Sequence, residues 1–344
     1  MRRRWRLWII LLATPLVLLA ADTAGWWTAT RYLARGLAAW EAERSAAGWI
    51  DQHGPPRRGG WPFAATLTVP AIGVSGDGAD IGQRPAWHAD RLVLRLSLAR
   101  PGSLEIAAEG RQLLRLAGIT VPFSANRLLL TLPVRSEPWP GSMDLIADDL
   151  HADTPLGGEA AVESLRLHLD FGPKAQSGDP ALGFSLQAEG VNLPAGVIRP
   201  LGPRIASFAV DGAATGPVPA GPTPAERAAA WRDGGGSLEI RHLAMVWGPL
   251  DLTATATLAL DDQLQPMGAG SAHLVGYTAT LDALAAHAAI SRSAAIATKA
   301  VLSLMAHNPE DGSPPDVEVP LTLQYRTLSM RQVPLVRLPE LDWP

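Results

Sequence analysis

The chain of 344 residues contains no cysteine. Disulfides, thiolate catalysis and Cys-ligated zinc or iron–sulfur centres are therefore excluded. The absence identifies no compartment, although it removes any hazard of mispairing in an oxidising one. Lysine occurs only at positions 174 and 299, so arginine carries nearly all the basic charge. With 29 basic and 33 acidic residues the net charge is −4. Nothing in that balance points to nucleic acid as a partner, which needs a clustered basic face. Phe and Tyr number only 5 and 3, against 12 Trp. A core of this composition rests on Leu and Ala, which fill space well without many rings.

Catalytic signatures are missing too. There is no G-x-S-x-G elbow, no H-E-x-x-H, no G-x-x-x-x-G-K-[ST] loop and no S-x-x-K pair. GDGADIG from Gly76 misses the dinucleotide spacing by one position and lacks a strand–helix context, so it reads as loop. GGGS at 234–237 reads as linker. The histidines at 53, 88, 151, 168, 242, 273, 287 and 307 show no metal-ligand spacing between neighbours. His168 falls on the polar side of a strand, where an exposed or locally bonded ring is expected. His242 and His273 lie on strands that could pair, yet two histidines without a third ligand do not make a metal site. In Asp148–Asp149, adjacent strand residues face opposite ways and form no dyad. Asp261–Asp262 opens DDQLQP, which reads as a turn. No catalytic residue, metal ligand or cofactor is expected, and the chain reads as non-enzymatic.

The N-terminus supplies an address. Arg2, Arg3, Arg4 and Arg6 precede an apolar run over 7–21, with Trp5 and Trp8 before it and Trp26 and Trp27 after it. The Trp pairs lie about twenty residues apart, or about 30 Å of helix, which is the hydrocarbon thickness. Tryptophan favours both interfaces, and arginines hold their side in the cytoplasm. Trp5, Trp8, Leu11, Leu12, Leu16, Trp26 and Trp27 are thus the expected anchor residues. No small-x-small cleavage pair fits well, so an uncleaved signal anchor is favoured over a cleaved signal peptide. The expected topology is a cytoplasmic tip over 1–6, a single span over 7–23 in the inner membrane, and a periplasmic remainder.

An amphipathic stalk helix is expected over 24–50, with Trp26, Leu33, Leu37, Trp40 and Ala47 on one stripe that Thr30 and Arg44 interrupt. DQHGPPRRGGWPF ends it. Beyond it the chain alternates in short runs such as Leu92, Leu94, Leu96 and Leu98, bounded by Gly, Pro, Asp or Asn. That pattern predicts antiparallel strands. The clearest seam is the Pro/Gly-rich linker 216–236 with a short helix, which divides a first β half (51–215) from a second (237–344). A helical insert is expected over 280–307, broken near Ser291. Pro320 and Pro334 each remove a ladder donor, placing the last strands at an edge or a bulge. The fold class is mainly β with a few helices (α+β): a transmembrane helix, then long antiparallel strands forming an elongated curved sheet or a sandwich.

The strand over 250–261 poses the functional question. Leu250, Leu252, Ala254, Ala256, Leu258 and Leu260 line one face, opposite Asp251, Thr253, Thr255 and Thr257. Alternation alone cannot separate a packed core from an apolar groove that holds acyl chains. The other tryptophans (49, 61, 87, 139, 231, 247 and 343) suit either a sheet-covering core or the rim of an apolar surface.

At GGWPF, at GPRIASFAVDGAATGPVPAGPTPAERAAAWRDGGGSLEI, at LALDDQLQPMGAG and at VPLTLQYRTLSMRQVPLVRLPEL the chain resembles an alphaproteobacterial family known as domain of unknown function 2125. That family carries no established activity to transfer. From about residue 237 the layout also resembles the C-terminal regions of AsmA-like envelope proteins. That likeness implies an apolar sheet face associated with lipid transport or outer-membrane homeostasis. The expectation is an anchored periplasmic protein that binds lipid or another amphiphile. The alternative is a structural component of envelope assembly with a closed β core and protein partners.

Overall fold

The computed structural model describes residues 2–76, 84–116, 118–134, 141–218, 221–307, 314–330 and 333–343, with backbone alone for residues 2–13 and 333. Most of GDGADIG, and Trp139, lie outside the described residues. The chain forms two compact units, Met1–Ser136 and Glu137–Pro344.

The first unit begins with helix α1 (Arg2–Ala46), which runs through the expected anchor and stalk without interruption. Seven strands follow: β1 (Ile50–Gln52), β2 (Arg57–Gly59), β3 (Ala64–Ser75), β4 (Ala86–Ser97), β5 (Arg100–Leu116), β6 (Ile119–Ser124) and β7 (Arg127–Pro133). All described pairings are antiparallel: β1 and β2 share one edge of β3, β4 lies between β3 and β5, and β6 and β7 share the far edge of β5. Register sets Leu67 opposite Leu94 and Leu94 opposite Ile106, so the alternating leucines share one face. Ala71, whose φ is +52°, and Asp90 opposite it are both passed over in the pairing without a shift of register, and Ile72 and Ala89 are buried with Leu67 and Val69. A strict alternation would have turned Ile72 outward.

Helix α1 lies on that face. Leu33 is 3% exposed among Ala65, Leu67, Val69 and Leu94, and Trp26 and Leu37 pack against the same cluster. Burying a leucine fully stabilises by roughly 1.5–3 kcal/mol. Thr30, which breaks the apolar stripe, is fully buried and donates its hydroxyl to the Trp27 carbonyl at 3.0 Å. Half-buried Trp26 donates its indole N–H to the Gly59 carbonyl at 2.9 Å. Trp27 is exposed, with the Arg31 guanidinium 3.3 Å from its ring centre. Leu16 is 70% exposed, while the side chains of Trp5, Trp8, Leu11 and Leu12 lie outside the described residues. Among the described residues no helix is long and apolar enough to cross a membrane.

The second unit contains β8 (Ser142–Asp153), β9 (Glu159–Phe171), β10 (Pro180–Asn192), β11 (Arg204–Thr215), helix α2 (Pro224–Asp233), β12 (Ser237–Trp247), β13 (Leu250–Leu260) and β14 (Pro266–Val275). Helices α3 (Tyr277–Ala286) and α4 (Arg292–Met305) then precede β15 (Asp316–Gln324), β16 (Thr327–Met330) and β17 (Val333–Arg337). Each strand pairs antiparallel with the next, giving one meander. Helices α3 and α4 pack on part of its apolar face, and α2 with Leu341 and Trp343 borders another part.

The stretch 216–236 links two strands of the second unit. Strands β11 and β12, on either side of it, are neighbours in one sheet, and the units divide at Ser136 and Glu137. The helical insert does break where expected, since the Ser291 hydroxyl caps α4 by accepting from the Ala294 N–H at 3.1 Å. Pro320 lies beyond the end of the β15–β16 pairing, and Pro334 sits at a register shift between β16 and β17.

Candidate binding cavities

The apolar side of β13 is part of a wider apolar surface. Leu252 lies between Met245 and Leu274, Ala254 between Leu243 and Ala272, Ala256 between Ile240 and Gly270, and Leu258 between Leu238 and Gly268. All six predicted face residues, Leu250 and Leu260 included, are only half-buried. Towards β15 the surface is closed: Tyr277, Leu281, Ala295 and Leu302 of α3 and α4 pack with Val317 and Val319.

Towards β10 it is not. A cavity of about 660 Å³ opens there, floored by Leu182, Ala214, Leu238, Leu258 and Leu260. Helix α2 walls it with Ala228 and Trp231, and the chain end adds Leu341 and Trp343. The walls are tied by polar bonds directed away from the apolar space. Trp231 donates its indole N–H to the Thr215 carbonyl at 2.8 Å, and Trp343 to the Leu264 carbonyl at 3.0 Å. Gln265 holds Leu341 twice, accepting its N–H at 2.9 Å and donating to its carbonyl at 3.1 Å. Thr223 and Glu226 form a capping box that starts α2. Among the described residues the only titratable side chain on the lining is the exposed Arg227, which donates to the Gly221 carbonyl at 3.2 Å. Of the six face residues, Leu258 and Leu260 line this cavity, while Leu250, Leu252, Ala254 and Ala256 do not.

The first unit has a cavity of its own, about 760 Å³, between α1 and the sheet. Leu33, Leu37 and Trp40 of α1 roof it, and Ile72, Leu94, Ile106, Leu114 and Leu130 are among the floor residues. Exposed Arg44 stands on its lining, with the centres of the Trp40 and Trp49 rings 5.9 and 5.5 Å from its guanidinium carbon. Sequence reasoning missed this site. Its only trace there was Arg44 interrupting an apolar stripe. Trp49 and Trp87 line this cavity, and Trp231 and Trp343 the other, so these four tryptophans border apolar space.

The titratable groups gather elsewhere. On the solvent side of the second unit Arg204 grips Glu163 through two bonds of 2.7 and 2.8 Å, and that hydrogen-bonded guanidinium holds the Glu163 carboxyl below its ordinary pKa. His168 contacts Asp144 at 2.7 Å and Asp170 at 3.0 Å, and the bond to Asp144 leads in raising its pKa. Strand β13 separates His242 from His273, so the two do not meet, and His273 instead contacts Asp316 at 2.7 Å. Asp261 accepts from the Gln263 and Gln265 N–H groups at 2.9 and 2.8 Å, as the predicted turn requires.

One cluster has donors suited to a divalent cation: ligand atoms of Glu41, Asp51 and His53 lie within 4.8 Å of one another. Its spacing along the chain gave no signal, because a helix end and a short strand bring it together. His53 donates to the Gly54 carbonyl at 2.7 Å and to Glu41 at 2.8 Å, which accounts for the cluster as an ion pair. The Gly54 bond is the largest cause of a raised His53 pKa, and the Glu41 carboxylate adds to it. On the first sheet, buried Gln112 accepts from the Trp87 indole at 3.1 Å, and its own Nε2 finds no partner.

Fold and cavities together define a class: antiparallel meanders whose apolar faces are roofed in part by helices over unfilled apolar space. The chain belongs to the family described as Uncharacterized protein conserved in bacteria (DUF2125), whose model matches residues 26–339. No curated protein and no solved structure matches it.

Proposed function

We propose that the protein binds the apolar part of a lipid or similar amphiphile, without chemistry, and acts in envelope lipid homeostasis or transport. One observation carries this reading. The second-unit cavity is about 660 Å³, within the range of about 300–1,000 Å³ typical of ligand sites, yet among the described residues its lining holds a single titratable side chain. A catalytic pocket needs convergent acid, base or nucleophile groups, whereas an acyl chain needs only apolar wall. Leu16, Val17, Leu18 and Leu19 are 51–70% exposed on α1, which supports a role for this end of the helix as an inner-membrane anchor with the bulk in the periplasm.

The test is organic extraction and mass spectrometry of the full chain purified in amphipol. Ala214→Trp fills the cavity floor, while Ala254→Trp adds the same bulk to the same sheet face outside it. Lipid per chain is expected to fall in the first variant and to hold in the second, with both still folded by circular dichroism. Equal lipid in the two variants, or a wild type free of lipid, would sink the reading.

A second reading has its own observation. Helix α4 leaves Ile296 and Leu304 at 70% and 89% exposure, an apolar surface suited to a protein partner in envelope assembly. A photocrosslinker at position 304 in cells is expected to give a discrete adduct, and its absence would remove this reading.

A further inference from the structure

We infer that the first-unit cavity is a separate site for a single-chain amphiphile with an anionic head, and that Arg44 selects the head. The inference rests on the amphiphile-binding reading and adds the ligand class. It starts from charge. Among the described residues Arg44 is the one charged side chain on a lining that is otherwise almost wholly hydrocarbon and indole. It is exposed, so it marks the point where the cavity meets water. No carboxylate among the described residues forms an ion pair with it. Several other exposed arginines do reach a carboxylate: Arg91 faces Glu109 at 3.2 Å, Arg95 faces Glu105 at 3.8 Å, Arg204 faces Glu163 and Arg241 faces Asp211 at 2.9 Å.

Two indole rings attend the Arg44 guanidinium. Trp40 and Trp49 lie within the roughly 6 Å over which a guanidinium is attracted to an indole. Such contacts orient the cation while leaving its N–H fork free for a carboxylate or phosphate. Tryptophans on both sides supply the half-apolar, half-wet border that the neck of an amphiphile requires. The volume of about 760 Å³ suits one chain. An uncharged amphiphile would fill the cavity equally well but would leave Arg44 unpaired. Electrostatic complementarity therefore acts on selectivity between heads more than on entry of the chain.

The experiment uses the full chain in phosphatidylcholine nanodiscs with a diazirine analogue of palmitate, and maps adducts by peptide mass spectrometry. Adducts are expected on first-unit peptides that carry Leu94, Ile106 or Leu130. Unlabelled palmitate is expected to compete about tenfold better than hexadecanol, a difference of about 1.4 kcal/mol. In Arg44→Gln the two competitors should become equal, and Arg44→Lys, which restores the charge, should recover most of the preference. Equal competition in the wild type would overturn the anionic head while leaving amphiphile binding intact. Adducts confined to the second unit would overturn the first-unit site alone. No adduct on either cavity would overturn both this inference and the function it rests on.

Discussion

A Cβ at Gly236 would overlap the indole of Trp231, so the ring lies directly against the glycine backbone. This close approach lets the ring wall the cavity while its N–H reaches the Thr215 carbonyl. Gly236→Ala must push the ring out or the strand back. Overpacking of this kind costs about 1–3 kcal/mol. A lower melting temperature is expected, with altered Trp231 emission and less lipid retained. A variant as stable and as lipid-loaded as the wild type would show that Trp231 does not depend on that contact.

Helix α2 depends on its first turn. The Thr223 hydroxyl accepts from the Glu226 N–H, and the Glu226 carboxylate accepts from the Thr223 N–H, each at 3.2 Å. Thr223→Ala removes half of this box and costs about 1 kcal/mol of local helix stability. Hydrogen exchange should quicken about fivefold over residues 225–233 and remain unchanged on β13. Faster exchange throughout the sheet would mean that α2 is part of the global core and not a separately opening wall.

The strands were legible because alternation is a local signal. The predicted bounds 250–261 lie within a residue of β13, since turn residues close the run. The left-handed backbone at Ala71 was not legible, because alanine carries no local signal for a positive φ. A long Pro/Gly stretch such as 216–236 marks a loop, and a loop can leave and re-enter the same sheet. The cavities were legible by half. Leu258 and Leu260 follow from parity, but parity is identical at Ala254, which does not line the cavity. What separates them is the cover: α2 and Trp343 approach one end of the face, α3 and α4 the other. That cover is set by contacts distant in sequence.

Leu33 tests how α1 is held. It is 3% exposed, packs with the first-unit core and also roofs the cavity. Leu33→Ala leaves a void next to one already present, and such truncations cost about 2–5 kcal/mol. Tyr32, one residue earlier, is 53% exposed, so Tyr32→Ala should stay within about 0.5 kcal/mol of wild type. Guanidinium denaturation of the full chain in amphipol gives both values. Equal effects would mean that α1 is not docked through Leu33.

His53 ties the end of α1 to the first strands, and its titration should be visible in stability. Its side chain is 19% exposed and bridges the Gly54 carbonyl and Glu41. Both ring nitrogens donate only when the imidazole is charged. The folded pKa is accordingly raised above 6.5, first by the Gly54 bond and then by the Glu41 carboxylate. A raised histidine pKa contributes stability that is fully present below the unfolded value and is lost as pH rises through the folded one. The melting temperature of the full chain should therefore decline from about pH 6.5 upward by more than in His53→Gln. Glu41→Gln should lower the His53 pKa measured by proton NMR, because it removes the charge but keeps an acceptor. A His53→Gln profile parallel to the wild type would mean that the ring is neutral in the fold, and that Nε2 is free to take the cation that Glu41 and Asp51 also face.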